Sequence, residues 1–127
     1  MTAAPVPLTL PIELSVVVPV YGCVGCLEEL ADQVEAAVAG MDIAFEMILV
    51  DDASPDGAWG RIQELAATRA WLTGLRLSRN FGQHSAISAG IEHASGRWTV
   101  VMDCDLQDVP AEIPRLYRKA LEENYEV

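Results

Sequence analysis

Residues 98–108 have the sequence Trp-Thr-Val-Val-Met-Asp-Cys-Asp-Leu-Gln-Asp, an apolar run that passes directly into an acidic segment. The run Trp98–Met102 is rich in β-branched residues and apolar on both sides, which is typical of a strand buried on both faces. Such strands belong to parallel sheets that are covered by helices. The acidic residues then stand at the carboxyl end of the strand, where open α/β sheets bind their ligands.

The chain on either side of this segment continues the alternation of strands and helices. Apolar, β-branched runs predict three further strands, at Leu14–Pro19, Phe45–Val50 and Trp71–Leu77. Helical spacing of apolar or small residues predicts helices at residues 27–38, 59–66 and 85–94, and a last one that begins near Pro110. This order predicts an α/β fold, with a Rossmann-like parallel sheet and helices on both faces.

Four polar segments follow the predicted strands at their carboxyl ends, at residues 21–26, 51–57, 78–84 and 103–108. Because these ends meet at one edge of a parallel sheet, we expect the segments to line one ligand site. Arg79, beside Gly82, is able to reach a phosphate or to stack on a base. The alternative for Arg79 is an ion pair with Asp51 or Asp103. His84 is a further candidate for a phosphate contact, and its alternative is a local cap or a surface position.

The acidic segment has the composition of a magnesium or manganese site. Asp103, Asp105 and Gln107 are two residues apart, so in an extended segment they share one face. Their oxygens are ligands suited to Mg²⁺ or Mn²⁺, which often complete their coordination with substrate phosphates. Such an ion would screen a diphosphate from an acidic protein and stabilise charge on a departing nucleotide. The alternative is an acidic loop that caps the last helix. For Asp108 alone, the role of N-cap to that helix is preferred.

Bulk composition excludes several classes of protein. The chain has 127 residues, 51% of them hydrophobic, which is enough for one domain with a sizeable core. Its net charge of −11, from 8 basic and 19 acidic residues, is the opposite of what a nucleic-acid partner needs. No segment has the length of a transmembrane span or the pattern of a signal peptide. The Pro-rich residues 1–11 are predicted to be a disordered tail, and residues 12–127 are predicted to form the domain.

The cysteines suggest three other interpretations. Their odd number and lack of a framework spacing fit a reducing cytoplasm, where we expect them to be inert small residues. Cys23 and Cys26 form a C-x-x-C that follows a strand and opens a helix, as in dithiol oxidoreductases. Cys23, Cys26, Cys104 and His84 would together suit zinc. A dinucleotide-binding oxidoreductase is disfavoured, because the glycines of the first turn lack the G-x-G-x-x-G spacing.

Four motifs occur in the order typical of family 2 glycosyltransferases: residues 19–21, 51–57, 79–84 and 103–108. The chain resembles this family from Leu14 to its last residue, and most of all the subgroup that acts on polyprenyl phosphates. The resemblance implies the N-terminal, nucleotide-sugar-binding half of a GT-A fold. It also implies a UDP- or GDP-sugar donor, a cell-envelope acceptor such as a polyprenyl phosphate, and inversion at the anomeric carbon.

The resemblance assigns roles to individual residues. Pro19 and Tyr21 would line the nucleotide base, although Gly22 and Cys23 replace the Asn and Glu that are usual in the family. One of the paired acids Asp51 and Asp52 would hydrogen-bond the base or ribose, and Asp52 is preferred because it stands further out of the sheet.

Within the acidic motif, the resemblance implies that Asp105 and Gln107 coordinate the metal. Asp103 would touch the ribose or support the ion. The family usually has Ala at the position of Cys104, a small residue that points away from the metal.

The resemblance also sets expectations for the whole protein. In the family the catalytic base and acceptor site lie beyond residue 127, so we expect an incomplete fragment that binds nucleotide with little transfer by itself. The alternative is a non-catalytic nucleotide-binding fragment. We expect a cytoplasmic chain, from a parent attached to the cytoplasmic face of a membrane. An exposed edge of the fourth strand predicts a homodimer.

Overall fold

The computed structural model describes residues 11–123 and contains four strands, all parallel, in one sheet. The strands are β1 (Leu14–Val20), β2 (Phe45–Asp51), β3 (Leu72–Arg76) and β4 (Trp98–Val101), in the order β3-β2-β1-β4. The helices are α1 (Leu27–Ala39), α2 (Ala58–Thr68), α3 (Gln83–His93) and α4 (Ile113–Glu123). Single 3-10 turns, Val24–Cys26 and Pro110–Glu112, precede α1 and α4. The predicted α/β class and the order of its elements are confirmed.

Strand β1 lies at the centre because its side chains are apolar on both faces. All seven of its residues are buried. Val16 pairs with Met47 of β2 on one side and with Val100 of β4 on the other. A strand that contributes to two cores and two ladders needs a continuous apolar sequence, and Val16-Val17-Val18 provides it.

Helices cover both faces of the sheet, as predicted. On one face, residues of α1, α2 and α4 pack with Val16, Val18 and Val20 in the larger core. On the opposite face, Val17, Ile48 and Val50 pack against Ala86 of α3. The alternation of strand side chains between the two faces determines which residues enter which core.

Small residues let α3 approach the sheet closely. A Cβ added at Gly90 would collide with the side chain of Val17 and come within 3.1 Å of Val50. Ala86 and Ala89 pack in the same smaller core. The predicted small face of this helix is therefore the face that contacts β1 and β2.

One expectation needs correction, and another falls outside the described residues. Strand β4 ends at Val101, whose side chain is 42% exposed, so β4 is not buried on both faces as predicted. The reason is its place at an edge of the described sheet. The predicted tail lies outside the described residues, except for the exposed Pro11. Among the helices of residues 11–123, none is long and apolar enough to cross a membrane.

Candidate functional site

A cavity of about 480 Å³ lies at the carboxyl rim of the sheet, and segments that follow all four strands line it. Its volume falls within the range of small-molecule sites, roughly 300–1,000 Å³. The lining residues are Pro19, Val20, Tyr21, Cys23, Asp52, Asn80, Gly82, Gln83, Asp103, Cys104 and Asp105. The expectation that the four polar segments meet at one site is borne out by this geometry.

Asp52 lines the cavity and holds the loop that follows β3. Its carboxylate is buried and accepts hydrogen bonds from the backbone N–H of Phe81 at 2.8 Å and of Gly82 at 3.0 Å. Gly82 has a φ of 101°, which favours glycine, and it directly precedes α3. Asp52 therefore shapes the wall of the cavity formed by residues 80–83.

Asp51 faces away from the cavity. Its side chain is fully buried, and one oxygen accepts a hydrogen bond from the N–H of Ser54 at 3.1 Å. The other oxygen has no hydrogen-bond partner in the described part of the chain. Of the two acids that were predicted to contact the nucleotide, only Asp52 is in the cavity lining.

The turn after β2 also positions the loop after β1. Ser54 Oγ accepts a hydrogen bond from the N–H of Gly22 at 3.3 Å. Asp56 accepts one from the N–H of Val24 at 3.1 Å and another from the first residue of α2 at 3.2 Å. No role was predicted for Ser54 or Asp56. Asp and Ser side chains in turns commonly hydrogen-bond nearby backbone groups, and this tendency could have predicted their contacts.

The acidic segment turns instead of continuing β4. Residues 104–106 lie in a turn in which Leu106 has a φ of 67°, and Asp105 Oδ1 accepts a hydrogen bond from the N–H of Gln107 at 3.2 Å. The prediction that Asp103, Asp105 and Gln107 share one face of an extended segment is therefore wrong. Asp103 and Asp105 line the cavity, whereas Gln107 is exposed and outside its lining.

Asp108 closes this turn and is not a helix cap. Its carboxylate accepts a hydrogen bond from the N–H of Asp103 at 2.9 Å. The N-cap position before Pro110 is occupied by Val109, which makes no side-chain cap. The preferred role of Asp108 as N-cap is wrong, because the backbone of the turn offers its carboxylate a nearer donor.

Two of the cavity carboxylates, Asp103 and Asp105, each have an oxygen available for a hard cation. Asp103 Oδ1 lies 3.4 Å from Gln83 Nε2, and Asp105 Oδ1 bonds within the turn. The second oxygen of each accepts no hydrogen bond from residues 11–123. Within those residues, no three His, Cys, Asp or Glu side chains form a ready metal-binding group. Two carboxylates nevertheless fit Mg²⁺ or Mn²⁺, because substrate phosphates and waters usually complete the shell.

The cavity wall is acidic. Asp52, Asp103 and Asp105 line it, and no Lys or Arg is among its lining residues. The guanidinium of Arg79 lies over the ring of Phe81, 4.6 Å from its centroid, and Arg79 is exposed. Neither predicted ion pair of Arg79, with Asp51 or Asp103, forms in the described structure.

Other residues of the third motif contribute more to the lining than Arg79 does. Asn80, Gly82 and Gln83 line the cavity, whereas His84 is exposed in the first turn of α3 and does not. No role was predicted for Asn80 and Gln83, which carry no charge. Gly82, which lies between them, has a φ of 101°.

A disulfide bond joins Cys23 to Cys104, with Cα atoms 6.1 Å apart, and Cys26 is unpaired. The expectation of inert small residues is therefore wrong for Cys23 and Cys104. Cys23 and Cys26 do not form the dithiol pair of the oxidoreductase alternative. A disulfide also removes two thiolates from the proposed zinc set, so that set does not form.

Comparison with known proteins identifies the family. The family model described as glycosyl transferase family 2 matches residues 15–127. The undecaprenyl-phosphate 4-deoxy-4-formamido-L-arabinose transferase of Aeromonas hydrophila subsp. hydrophila is 44% identical over 110 residues, 86% of this chain and 34% of that protein. The transferase of the same name from Klebsiella pneumoniae subsp. pneumoniae is 42% identical over 116 residues, 91% of this chain and 35% of that protein. The chain spans about a third of the length of these curated relatives.

Solved structures share the fold. The mannosyltransferase PcManGT from Pyrobaculum calidifontis, in complex with GDP-Man and Mn²⁺, has a TM-score of 0.64 and 29% identity, and the match covers 80% of this chain and 30% of that one. S. aureus TarS in complex with UDP has a TM-score of 0.68 and 24% identity, over 88% of this chain and 32% of that one. The match with TarS shows the fold alone. Since the family model spans the four strands and the cavity lining, the chain belongs to glycosyltransferase family 2.

Proposed function

We propose that this chain provides the donor site of an inverting glycosyltransferase that transfers a sugar from a UDP- or GDP-sugar. The proposed acceptor is a polyprenyl phosphate or another cell-envelope molecule, and the proposed cofactor is Mg²⁺ or Mn²⁺. Undecaprenyl phosphate is part of the names of the curated relatives. GDP-Man and Mn²⁺ are bound in the related PcManGT structure.

The observation that carries the proposal is an acidic cavity at the carboxyl rim of a parallel sheet. Its lining includes Asp52, Asp103 and Asp105 and no basic side chain. A nucleoside diphosphate in such a cavity meets like charge, and at short range that repulsion is substantial in a partly buried site. A divalent cation between carboxylates and phosphates converts the repulsion into attraction. Hence the same residues that disfavour a bare diphosphate favour a metal-bound one.

Each lining segment has a proposed task. Asp103 and Asp105 hold the cation through their free oxygens, and Gln107 joins them if the turn moves toward the cavity. Pro19 and Tyr21 face the nucleotide base; Tyr21 is 53% exposed and free to stack on it. Asp52 positions residues 80–83, which line the opposite wall.

We propose that Arg79 contacts the phosphate or the base of the donor after a movement of its side chain. To reach the cavity, its guanidinium has to leave the ring of Phe81. Both side chains are exposed, so little buried contact opposes that movement.

The chemistry is a single displacement at the anomeric carbon. The acceptor oxygen forms the new glycosidic bond while the bond from the anomeric carbon to the diphosphate breaks, which inverts the configuration. When bound, the cation supplies stabilisation of the negative charge that grows on the leaving diphosphate. The residues of this chain bind and orient the donor, and they hold its anomeric carbon toward the acceptor.

We also propose a location and an assembly. A polyprenyl phosphate acceptor requires the site to work at a membrane surface, and the proposed place is its cytoplasmic face. The proposed homodimer uses the outer edge of β4, which pairs only with β1 in the described sheet.

Calorimetric titration with UDP and with GDP, each with and without Mn²⁺, tests the donor site. We expect one of the two to bind in the presence of Mn²⁺ and to bind at least about tenfold more weakly without it or in Asp105→Ala, a loss typical of a removed charge-assisted contact. Glu35→Ala, which removes an exposed carboxylate from α1, is the matched control and should bind like the wild type. Equal binding with and without Mn²⁺, or by Asp105→Ala, would contradict the metal assignment. No binding of either nucleotide would contradict the donor site.

A further inference from the structure

The Cys23–Cys104 disulfide lies in the wall of the cavity. Cys23 belongs to the loop after β1 and Cys104 to the acidic turn after β4, and both line the cavity. The two residues are 81 positions apart in sequence. The bond therefore adds a covalent link between two cavity walls that follow different strands.

The bond acts at the residue between the two proposed metal ligands. Cys104 is 7% exposed and stands between Asp103 and Asp105. With the disulfide in place, Asp105 uses one oxygen within the turn, and Gln107 lies outside the cavity lining. In the described residues, no preformed group of three His, Cys, Asp or Glu side chains exists in this bonded state.

Coordination of a cation by Gln107, in addition to Asp103 and Asp105, would require the turn to move, because Gln107 lies outside the cavity lining. Mg²⁺ takes its oxygen ligands at about 2.0–2.1 Å in nearly octahedral geometry, so a third ligand from the turn has to come close to the other two. A crosslink through Cys104 restrains that movement, because it ties the middle of the turn to the loop after β1. Reduction removes the restraint.

We propose that Cys23 and Cys104 form a reversible redox pair, and that their disulfide weakens binding of the metal–nucleotide complex at this site. The inference rests on the proposed function and adds its regulation. Disulfides that form in a reducing compartment are usually transient and redox-sensing. Cys23 is half-buried and Cys104 is buried, so Cys23 is the sulfur that a small reagent reaches first.

Thiol–disulfide exchange with a low-molecular-weight disulfide, such as glutathione disulfide, supplies the oxidation. The Cys23 thiolate attacks one sulfur of the reagent, forms a mixed disulfide and releases one glutathione thiolate. The Cys104 thiolate then attacks Cys23 Sγ, forms the internal disulfide and releases the second. Overall, two protein thiols lose two electrons and two protons, and glutathione disulfide gains them as two thiols. A dithiol reverses the reaction.

Covalent readouts test the pair independently of nucleotide binding. After treatment with glutathione disulfide, we expect one of the three cysteines to react with Ellman's reagent under denaturing conditions, and all three after reduction. Peptide mapping should find a peptide that contains Cys23 linked to one that contains Cys104. The linkage should persist in Cys26→Ser and be absent in Cys104→Ala. Absence of this linkage from the oxidised wild type would overturn the proposal.

Titration with Mn²⁺ and UDP or GDP, on oxidised and reduced protein, tests the coupling. We expect affinity to be about tenfold lower in the oxidised wild type, within the usual range of coupling between two sites. Cys26→Ser should show the same difference, because Cys26 is not in the cavity lining. Cys104→Ala should show the same affinity with and without the oxidant.

The outcomes separate this inference from the proposed function. A linked Cys23–Cys104 pair with equal affinity in both redox states would overturn the coupling and leave the donor site standing. A higher affinity in the oxidised protein would overturn the stated direction. No binding in either redox state or any variant would contradict the donor site itself, and the coupling with it, while the covalent result would still stand.

Discussion

Two adjacent carboxylates, Asp51 and Asp52, have different roles because neighbouring residues at a strand end point to opposite faces. Asp51 points into the larger core with Met47 and Leu49, where it bonds the turn that follows β2. Asp52 points to the α3 side and receives two backbone hydrogen bonds from residues 81 and 82. One residue supports the turn, and the other shapes the cavity wall.

We expect Asp52→Ala to lower the free energy of unfolding by about 1–3 kcal/mol, because the N–H groups of Phe81 and Gly82 lose their acceptor. Asp52→Asn keeps one acceptor oxygen and should lose less. Urea denaturation measures both. Glu35→Ala, at an exposed position of α1, should stay within about 0.5 kcal/mol of the wild type. An Asp52→Ala protein as stable as the wild type would show that Asp52 does not hold this loop.

At the scale of elements, α3 depends on small residues for its contact with the sheet. It is the only described helix whose residues join the core on that face of the sheet, and that core has few members. A bulkier residue at the contact pushes the whole helix outward. Since α3 begins at Gln83 in the cavity wall, its position also affects the shape of the cavity.

We expect Gly90→Ala to destabilise the protein by about 1–3 kcal/mol, the usual effect of overpacking, because the new Cβ collides with Val17. Gly60→Ala in α2 is the matched control. Its Cβ would meet nothing within 4 Å, so alanine should stabilise that helix by about 0.5–1 kcal/mol. Thermal and urea unfolding of both variants measure the contrast. A neutral Gly90→Ala would mean that α3 adjusts without loss.

Helix α4 is joined to the residue before β1 by a partly buried hydrogen bond. Tyr117 Oη donates to Glu13 at 2.6 Å. Burial raises the pKa of Tyr117 to about 12, and the bond to Glu13 acts in the same direction. Because the folded-state pKa lies above the ordinary value of 10.0, the stabilisation is complete below about pH 10 and is lost as pH rises through about 12.

We expect phenolate absorbance to show a titration step near pH 12 and to lose that step in Tyr117→Phe. The variant should also lose this part of the alkaline dependence of its unfolding free energy. Tyr21→Phe, at a 53% exposed position, is the control and should keep the late step. Absence of a step near pH 12 in the wild type would contradict the Tyr117–Glu13 bond.

At the scale of the whole molecule, β4 leaves one side of the described sheet without a partner strand. An apolar groove of about 410 Å³, lined in part by Trp98, Val100 and Leu116, adjoins this edge. An apolar edge strand is a template for pairing with another chain. The proposed partner of this edge is a second copy of the same chain, which is always present in a purified sample.

We expect sedimentation velocity to show association of the wild-type chain as its concentration rises, and a monomer for Val101→Lys. The reason is that a lysine at this 42% exposed edge position opposes strand pairing. Ala67→Lys adds the same charge to an exposed position of α2 and should associate like the wild type. A wild-type monomer at all concentrations would contradict the dimer.

Local patterns were enough to predict the elements and the rim of the sheet where the cavity lies. Val16-Val17-Val18 marks a strand buried on both faces, and the acidic residues after Trp98–Met102 mark its carboxyl end. These signals are encoded in residues close together in the chain. They do not depend on which strand lies beside which.

Contacts between distant residues were settled by the fold. The order β3-β2-β1-β4 brings Cys23 within bonding distance of Cys104, although 81 positions separate them. The turn at Leu106 places Asp105 in the cavity lining and leaves Gln107 outside it. Spacing in a sequence predicts which side of a regular element a residue faces, but pairing across a sheet and the direction of a turn depend on the packing of the whole chain.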